Sequence, residues 1–221
     1  FRASAFTLMA VSLLSGCQSI NFADVPAEYR ASPDSSQVSD VPQDFRPLEE
    51  AGFAKFTSIF GIPVVATPAV SESTILHVRS VLGEYLDNDE DGVADNPRVI
   101  FALRESNAVA AVFETFGEHE TFDDRDGYDT ARPFELITMM QEETNTPYGF
   151  DASLEELLHL VTQWGFSVAY PDELGETGDT GLVRALEQAQ ETGDYYYDDP
   201  SCDARCQATE YFYWAITSNM G

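Results

Sequence analysis

Between Ser71 and Pro97 the chain reads SESTILHVRSVLGEYLDNDEDGVADNP, a helical pattern running straight into a loop crowded with carboxylates. This stretch restricts the fold most, because five acids, Asp87, Asp89, Glu90, Asp91 and Asp95, must be accommodated within one turn of backbone. At roughly 6 Å in water each like-charge pair costs somewhat under about 1 kcal/mol, and more where a protein surface lowers the dielectric. A hard divalent cation removes that cost. Asp87, Asp89 and Asp91 stand at positions one, three and five, Gly92 at six allows a sharp turn, Val93 offers a carbonyl at seven, and Asp95 stands at nine. That spacing predicts a calcium site. Upstream, Ser71 or Ser73 caps a helix whose Ile75, Val78, Val81, Leu82, Tyr85 and Leu86 form one apolar face, with His77 and Glu84 on its border.

The loop resembles the EF-hand family and its shorter relatives with a DxDxDGxxD core, such as dockerin and thrombospondin type 3 repeats, over about nine residues. The resemblance implies calcium held by Asp87, Asp89, Asp91, the Val93 carbonyl and Asp95. At the twelfth position Arg98 replaces the family's bidentate Glu, after Pro97. A further oxygen must then come from elsewhere or from water, which implies weaker, extracellular-range affinity. The bland alternative is a solvated acidic turn.

With 39 acidic and 11 basic residues in 221, a formal charge of -28, sequence-blind affinity for nucleic acid is excluded. A salt-tolerant source or a calcium-rich exterior would screen such self-repulsion. At 43% hydrophobic and 12% aromatic, the chain has material for one core.

The N-terminus carries Arg2, an apolar run from Ala5 to Leu14 and then small residues up to Cys17, too short a run to span a bilayer and read as a secretory signal over 1–16. Leu14, Ser15, Gly16 and Cys17 are similar to the lipobox of bacterial lipoproteins, which implies acylation of Cys17. Gln18 after it implies, by the same resemblance, the outer membrane, so the expected partner is a membrane reached through the lipid, facing periplasm or cell surface. An ordinary secretory signal is the alternative. The chain begins without Met, so its first residues are expected to be missing. Residues 17–47, rich in Ser, Pro, Asp and Ala without an apolar period, are expected to be a flexible tether, and 48–221 a single domain.

Within that domain, Phe53 to Thr67 predicts one strand or two short ones, Pro97 to Glu105 a helix, Ala108 to Phe113 a buried strand and Phe134 to Met140 another. Gly117 to Tyr128 reads as a second acidic stretch, with Asp124, Asp126 and Gly127 making half a calcium pattern. Thr180 to Thr192 predicts a helix.

Asp151 to Gly165, DASLEELLHLVTQWG, is the second informative segment. Ser153 with Glu156 predicts a capping box, and Gly165 a stop. Leu154, Leu157, Val161 and Trp164 share one face, and Glu155, His159 and Thr162 the opposite one. The segment looks like the active-site helix of zincin metallopeptidases, with Glu155, Glu156, Leu157, Leu158, His159 standing for their HExxH. The resemblance implies Glu156 as general base, His159 and Glu210 as zinc ligands, and Glu155 as a substituted ligand. The competing expectation is a solvated helix face with a surface histidine. His77, His119 and His159 would make a transition-metal site only if two of them met beside a carboxylate.

Near the C-terminus, Tyr195 to Tyr197 lie in an acidic loop, suited to a peptide or a polysaccharide or simply packed. Cys202 and Cys206 are expected to pair outside the cytoplasm. The last helix, Thr209 to Thr217, carries Phe212, Trp214 and Ile216 and is expected in the core. The sequence thus predicts an α+β domain, mainly helical around a small sheet: a calcium-binding lipoprotein domain of open activity. The alternatives are a metal-dependent hydrolase and a binding module for surface polymer or peptide.

Overall fold

The computed structural model describes residues 35–146 and 149–220. The segment expected to be a signal with a lipobox, Cys17 included, lies outside them. The architecture is α+β, with a five-stranded mixed sheet in the order β1 (Ser35–Asp40), β2 (Lys55–Ile59), β3 (Ile62–Ala66), β4 (Ala108–Phe113), β5 (Glu135–Met140). The first three strands pair antiparallel, while β3, β4 and β5 run parallel. The sheet therefore begins inside the stretch expected to be a tether. Ser35–Asp40 has no apolar period because it is an edge strand, and the short helix α1 (Arg46–Glu50) follows with Leu48 buried.

Alternation of side chains explains the layers. Along β4, Ala108, Ala110 and Val112 enter one core, and Val109, Ala111 and Phe113 the other. Both faces are covered, so β4 reads as an unbroken apolar run. The first core is closed by α2 (Glu72–Leu86) and α3 (Pro97–Glu105), which form the crossover from β3 to β4. Phe113 packs with Phe53 and Phe122 in the second core, under α4 (Phe116–Asp124) and α5 (Gly127–Ala131). The Gly117–Tyr128 stretch is thus mostly helix, begun by Thr115, whose hydroxyl accepts from the Glu118 amide. Among the described residues, Asp124 and Asp126 join no cluster of convergent ligands.

On the first face, α6 (Ala152–Leu160) leans on α2 and on β5, the sheet's edge strand. Its cap is Asp151, not Ser153. The Asp151 carboxylate accepts from the Ser153 amide at 3.0 Å and hydroxyl at 2.6 Å, and meets His77 Nε2 at 2.6 Å, while Ser153 is buried inside the helix. Nor does Gly165 end it. Residues Val161–Phe166 continue in π-helical geometry, and a Cβ on Gly165 would stand 2.8 Å from Val99 Cγ1 of α3, so the glycine serves close helix approach. Two short helices, α7 (Ser167–Ala169) and α8 (Pro171–Leu174), lead to α9 (Gly181–Thr192) and α10 (Ala204–Met220).

The Cys202–Cys206 disulfide forms just before and within the first turn of α10. That helix is only partly in the core. Ala208 and Thr209 are buried, but Phe212 and Ile216 are half-buried along an open groove with Leu182, and Trp214 is 48% exposed. Its other aromatic residues are packed, Tyr211 against Tyr195, Phe212 against Phe166 and Tyr213 against His159. No helix among the described residues is long and apolar enough to cross a membrane.

Candidate metal centre

Four residues apart on α6, Glu155 and His159 rise on one face, and α10 crosses so that Glu210 meets them. One ligand atom from each of the three lies within 4.8 Å of the other two. His159 Nε2 stands 3.9 Å from Glu210 Oε1, and Nδ1 4.0 Å from Glu156 Oε2, both too long for hydrogen bonds. The ring is 7% exposed and its Nε2 is buried without a partner. Burial pushes the His159 pKa down to about 4, so the imidazole is neutral and offers a lone pair. An edge-on contact with Tyr213, ring centroids 5.9 Å apart, restrains it. The expectation of a surface histidine on a solvated face is not met.

The acids around it are all displaced upward. Burial raises Glu155. Glu156 is pushed to about 8, by burial first and then by the charges of Glu155, Glu210 and Glu143. Glu210 is raised by burial and by Glu155, against which Tyr197 and Trp214 act as hydrogen-bond donors that favour its charged form. Tyr213 is raised by burial, Glu155 and Glu210 and stays a phenol. Each shift has the same remedy, a positive charge among the carboxylates.

The donor set fits a divalent ion. A tetrahedral ion with bonds of about 2.1 Å places its ligands about 3.4 Å apart, so pairs that lie within 4.8 Å of one another would close by about 1.4 Å at most, within rotamer adjustment of two glutamates. A buried unpartnered imidazole nitrogen costs about 1–3 kcal/mol, and metal ligation removes that cost. The π-helical turn that begins at Val161, two residues after His159, is a rare geometry that occurs frequently at functional sites.

In the acidic loop, three of the four aspartates expected around calcium come together. Asp87, Asp89 and Asp95 bring oxygens within 4.8 Å of one another. Asp87 ends α2 and is nearly buried, with its two oxygens accepting from the amides of Asp91 (3.1 Å) and Gly92 (2.9 Å). Asp91 is not among the converging side chains, since its Oδ1 accepts from the Val93 amide at 2.8 Å. Gly92 takes the left-handed conformation (φ 81°) that its place in the pattern predicts. The Asp91 charge raises the pKa of Asp89, as expected for acids forced together.

The other histidines stand apart. Burial alone would raise the Asp151 pKa, but hydrogen bonds from Ser153 and His77 bring it below the usual carboxylate value, so His77 ties α2 to the start of α6. His119 Nε2 lies 2.8 Å from the Tyr128 hydroxyl, and its ring packs edge-on against Phe113.

Tyr197, Tyr213 and Trp214 were not singled out for this centre, although Glu210, Tyr213, Trp214 and Thr217 follow the i, i+3, i+4, i+7 spacing of one helix face. Their placement beside His159 depends on how α10 crosses α6, which periodicity does not encode. No protein-family model, curated protein or solved structure matches the chain, so the centre rests on its own geometry.

Proposed function

We propose that the chain is a metal-dependent hydrolase whose centre is Glu155, His159 and Glu210, with Glu156 as the group that moves the proton. The carrying observation is the buried, unpartnered Nε2 of a neutral His159 facing Glu210 among carboxylates whose pKa values are all raised. A divalent cation held there, zinc by donor type, would supply Lewis acidity and a bound water of lowered pKa.

The rest falls to the chain. His159 gives a lone pair without first losing a proton. Glu155 and Glu210 supply negative charge from two helices. Glu156, raised to about 8 while the centre is empty, keeps its proton at neutral pH; a cation offsetting the charges of Glu155 and Glu210 would bring that pKa down, so that the freed carboxylate would accept a proton from the attacking water and return it to the leaving group. Tyr213 remains protonated and is a hydrogen-bond donor beside the centre.

The acidic loop is, on this reading, a structural calcium site that fixes the end of α2 against the start of α3 and so supports α6, which packs on α2. Cys17 would tether the domain by lipid to the outer membrane. The test is hydrolysis of a mixed set of quenched peptides by zinc-loaded protein. Turnover that is abolished by 1,10-phenanthroline, restored by zinc and reduced about a hundredfold or more in Glu156→Gln supports the proposal. The absence of turnover across peptides at full metal loading overturns it.

A further inference from the structure

Beside the centre, Asp194, Tyr195, Tyr196, Tyr197, Trp214 and Ser218 line an open pocket of ≈ 390 Å³. Tyr195 and Tyr197 stack within 8° of parallel, 6.4 Å between centroids, and Tyr211 braces Tyr195 edge-on at 5.1 Å. Tyr196 is 82% exposed and Trp214 is 48% exposed. Tyr195 packs against the small core of Leu182, Leu186 and Ala208, which anchors the loop, while Tyr196 and Trp214 leave ring surface open to solvent. The pocket shares a wall with the centre, since Tyr197 and Trp214 also donate towards Glu210.

We propose that this pocket receives a cationic side chain, arginine or lysine, of a polypeptide substrate and so selects what the adjacent centre cleaves. Aromatic faces attract a cation through the ring quadrupole. Carboxylates complete the match: Asp194 stands in the lining, and Asp198 and Asp199 directly follow the three tyrosines in the same loop. The lining contains no basic residue. A sugar ring would fit the volume and stack on Tyr196, but it would leave those charges uncompensated. An anionic side chain is repelled, all the more in a chain of formal charge -28.

This inference rests on the hydrolase reading for its consequence, and a binding measurement separates the two. Three fluorescein-labelled octapeptides, alike except for one central arginine, norleucine or glutamate, are titrated against the whole protein by anisotropy, with calcium present and zinc omitted. The arginine peptide is expected to bind about fivefold more tightly than the norleucine peptide, and the glutamate peptide most weakly. Tyr196→Ala and Asp194→Asn, both at exposed positions whose replacement leaves the core intact, should each reduce that preference, and raising the salt should weaken it. Equal affinity for arginine and norleucine peptides overturns the proposal. So does a preference untouched in both variants, or binding of cellohexaose at this pocket in place of the peptides. Peptide turnover without an arginine preference removes the pocket proposal alone, whereas an arginine preference without turnover removes the hydrolase alone.

Discussion

Glu156→Gln isolates the energetic core of the proposed centre, because it keeps the shape of the side chain and removes its charge. In the folded protein the Glu156 pKa rises from the ordinary glutamate value of 4.5 to about 8. Below pH 4.5 the carboxyl is protonated in both folded and unfolded chains and has no effect. Between 4.5 and 8 the unfolded chain has released its proton while the folded one keeps it, so stability falls as pH rises, by about 1.4 kcal/mol per pH unit. The accumulated loss is about 3 kcal/mol at pH 7 and about 5 kcal/mol above pH 8, upper limits that water entry would reduce. Metal-free Glu156→Gln should therefore match the wild type at pH 4.5 and become progressively more stable than it up to pH 8. A gain of about 3 kcal/mol corresponds to a melting temperature about 10 °C higher in a domain of this size. Urea unfolding at half-unit pH intervals, with zinc removed and calcium kept constant, gives the difference directly. A gap that is the same at pH 5 and pH 8 would refute the burial argument.

His159 has the opposite slope. Its pKa falls from 6.5 to about 4, so the stability it contributes is present above pH 6.5 and is lost as pH falls towards 4, about 3 kcal/mol in all. In metal-free wild type the two limbs cancel between pH 4.5 and 6.5, and His159→Asn should expose the falling Glu156 limb there by urea unfolding. Removing calcium with a chelator at pH 7 should lower the melting temperature by several degrees, since a site with an affinity near 0.1 mM contributes about 1.4 kcal/mol at 1 mM ion, and Asp87→Asn should abolish most of that response. Gly165→Ala should cost about 1–3 kcal/mol by calorimetry, because its Cβ would meet Val99 Cγ1 at 2.8 Å.

Local signals in the sequence were read well where one element decides the outcome. Pro97 at a helix start, the unbroken apolar run Ala108–Phe113 and the Cys202–Cys206 spacing each became the element or bond expected. Competition between neighbours produced the differences. Asp151 displaces Ser153 as the cap because its carboxylate also holds His77, a residue 74 positions away. Gly165 looks like a stop, but it is needed for the approach of α3, and no local pattern carries that contact. The carboxylates of Gly117–Tyr128 read as a second acidic stretch with half a calcium pattern, and no helix was expected there, yet Thr115 starts one and Phe122 anchors it in the second core. At the centre, the i, i+4 pair Glu155 and His159 was legible on one helix. Its burial was not, because the aromatic residues that cover it arrive with α10.

The most direct measurement is zinc titration by calorimetry of the calcium-saturated protein, with bound metal counted by elemental analysis in wild type, His159→Ala and the Glu155→Gln/Glu210→Gln double variant. The account predicts one zinc per chain in the wild type that excess calcium does not displace, and its loss in both variants while the calcium content stays the same. Stoichiometric zinc binding that survives both substitutions, or a wild type that takes up none, would contradict it.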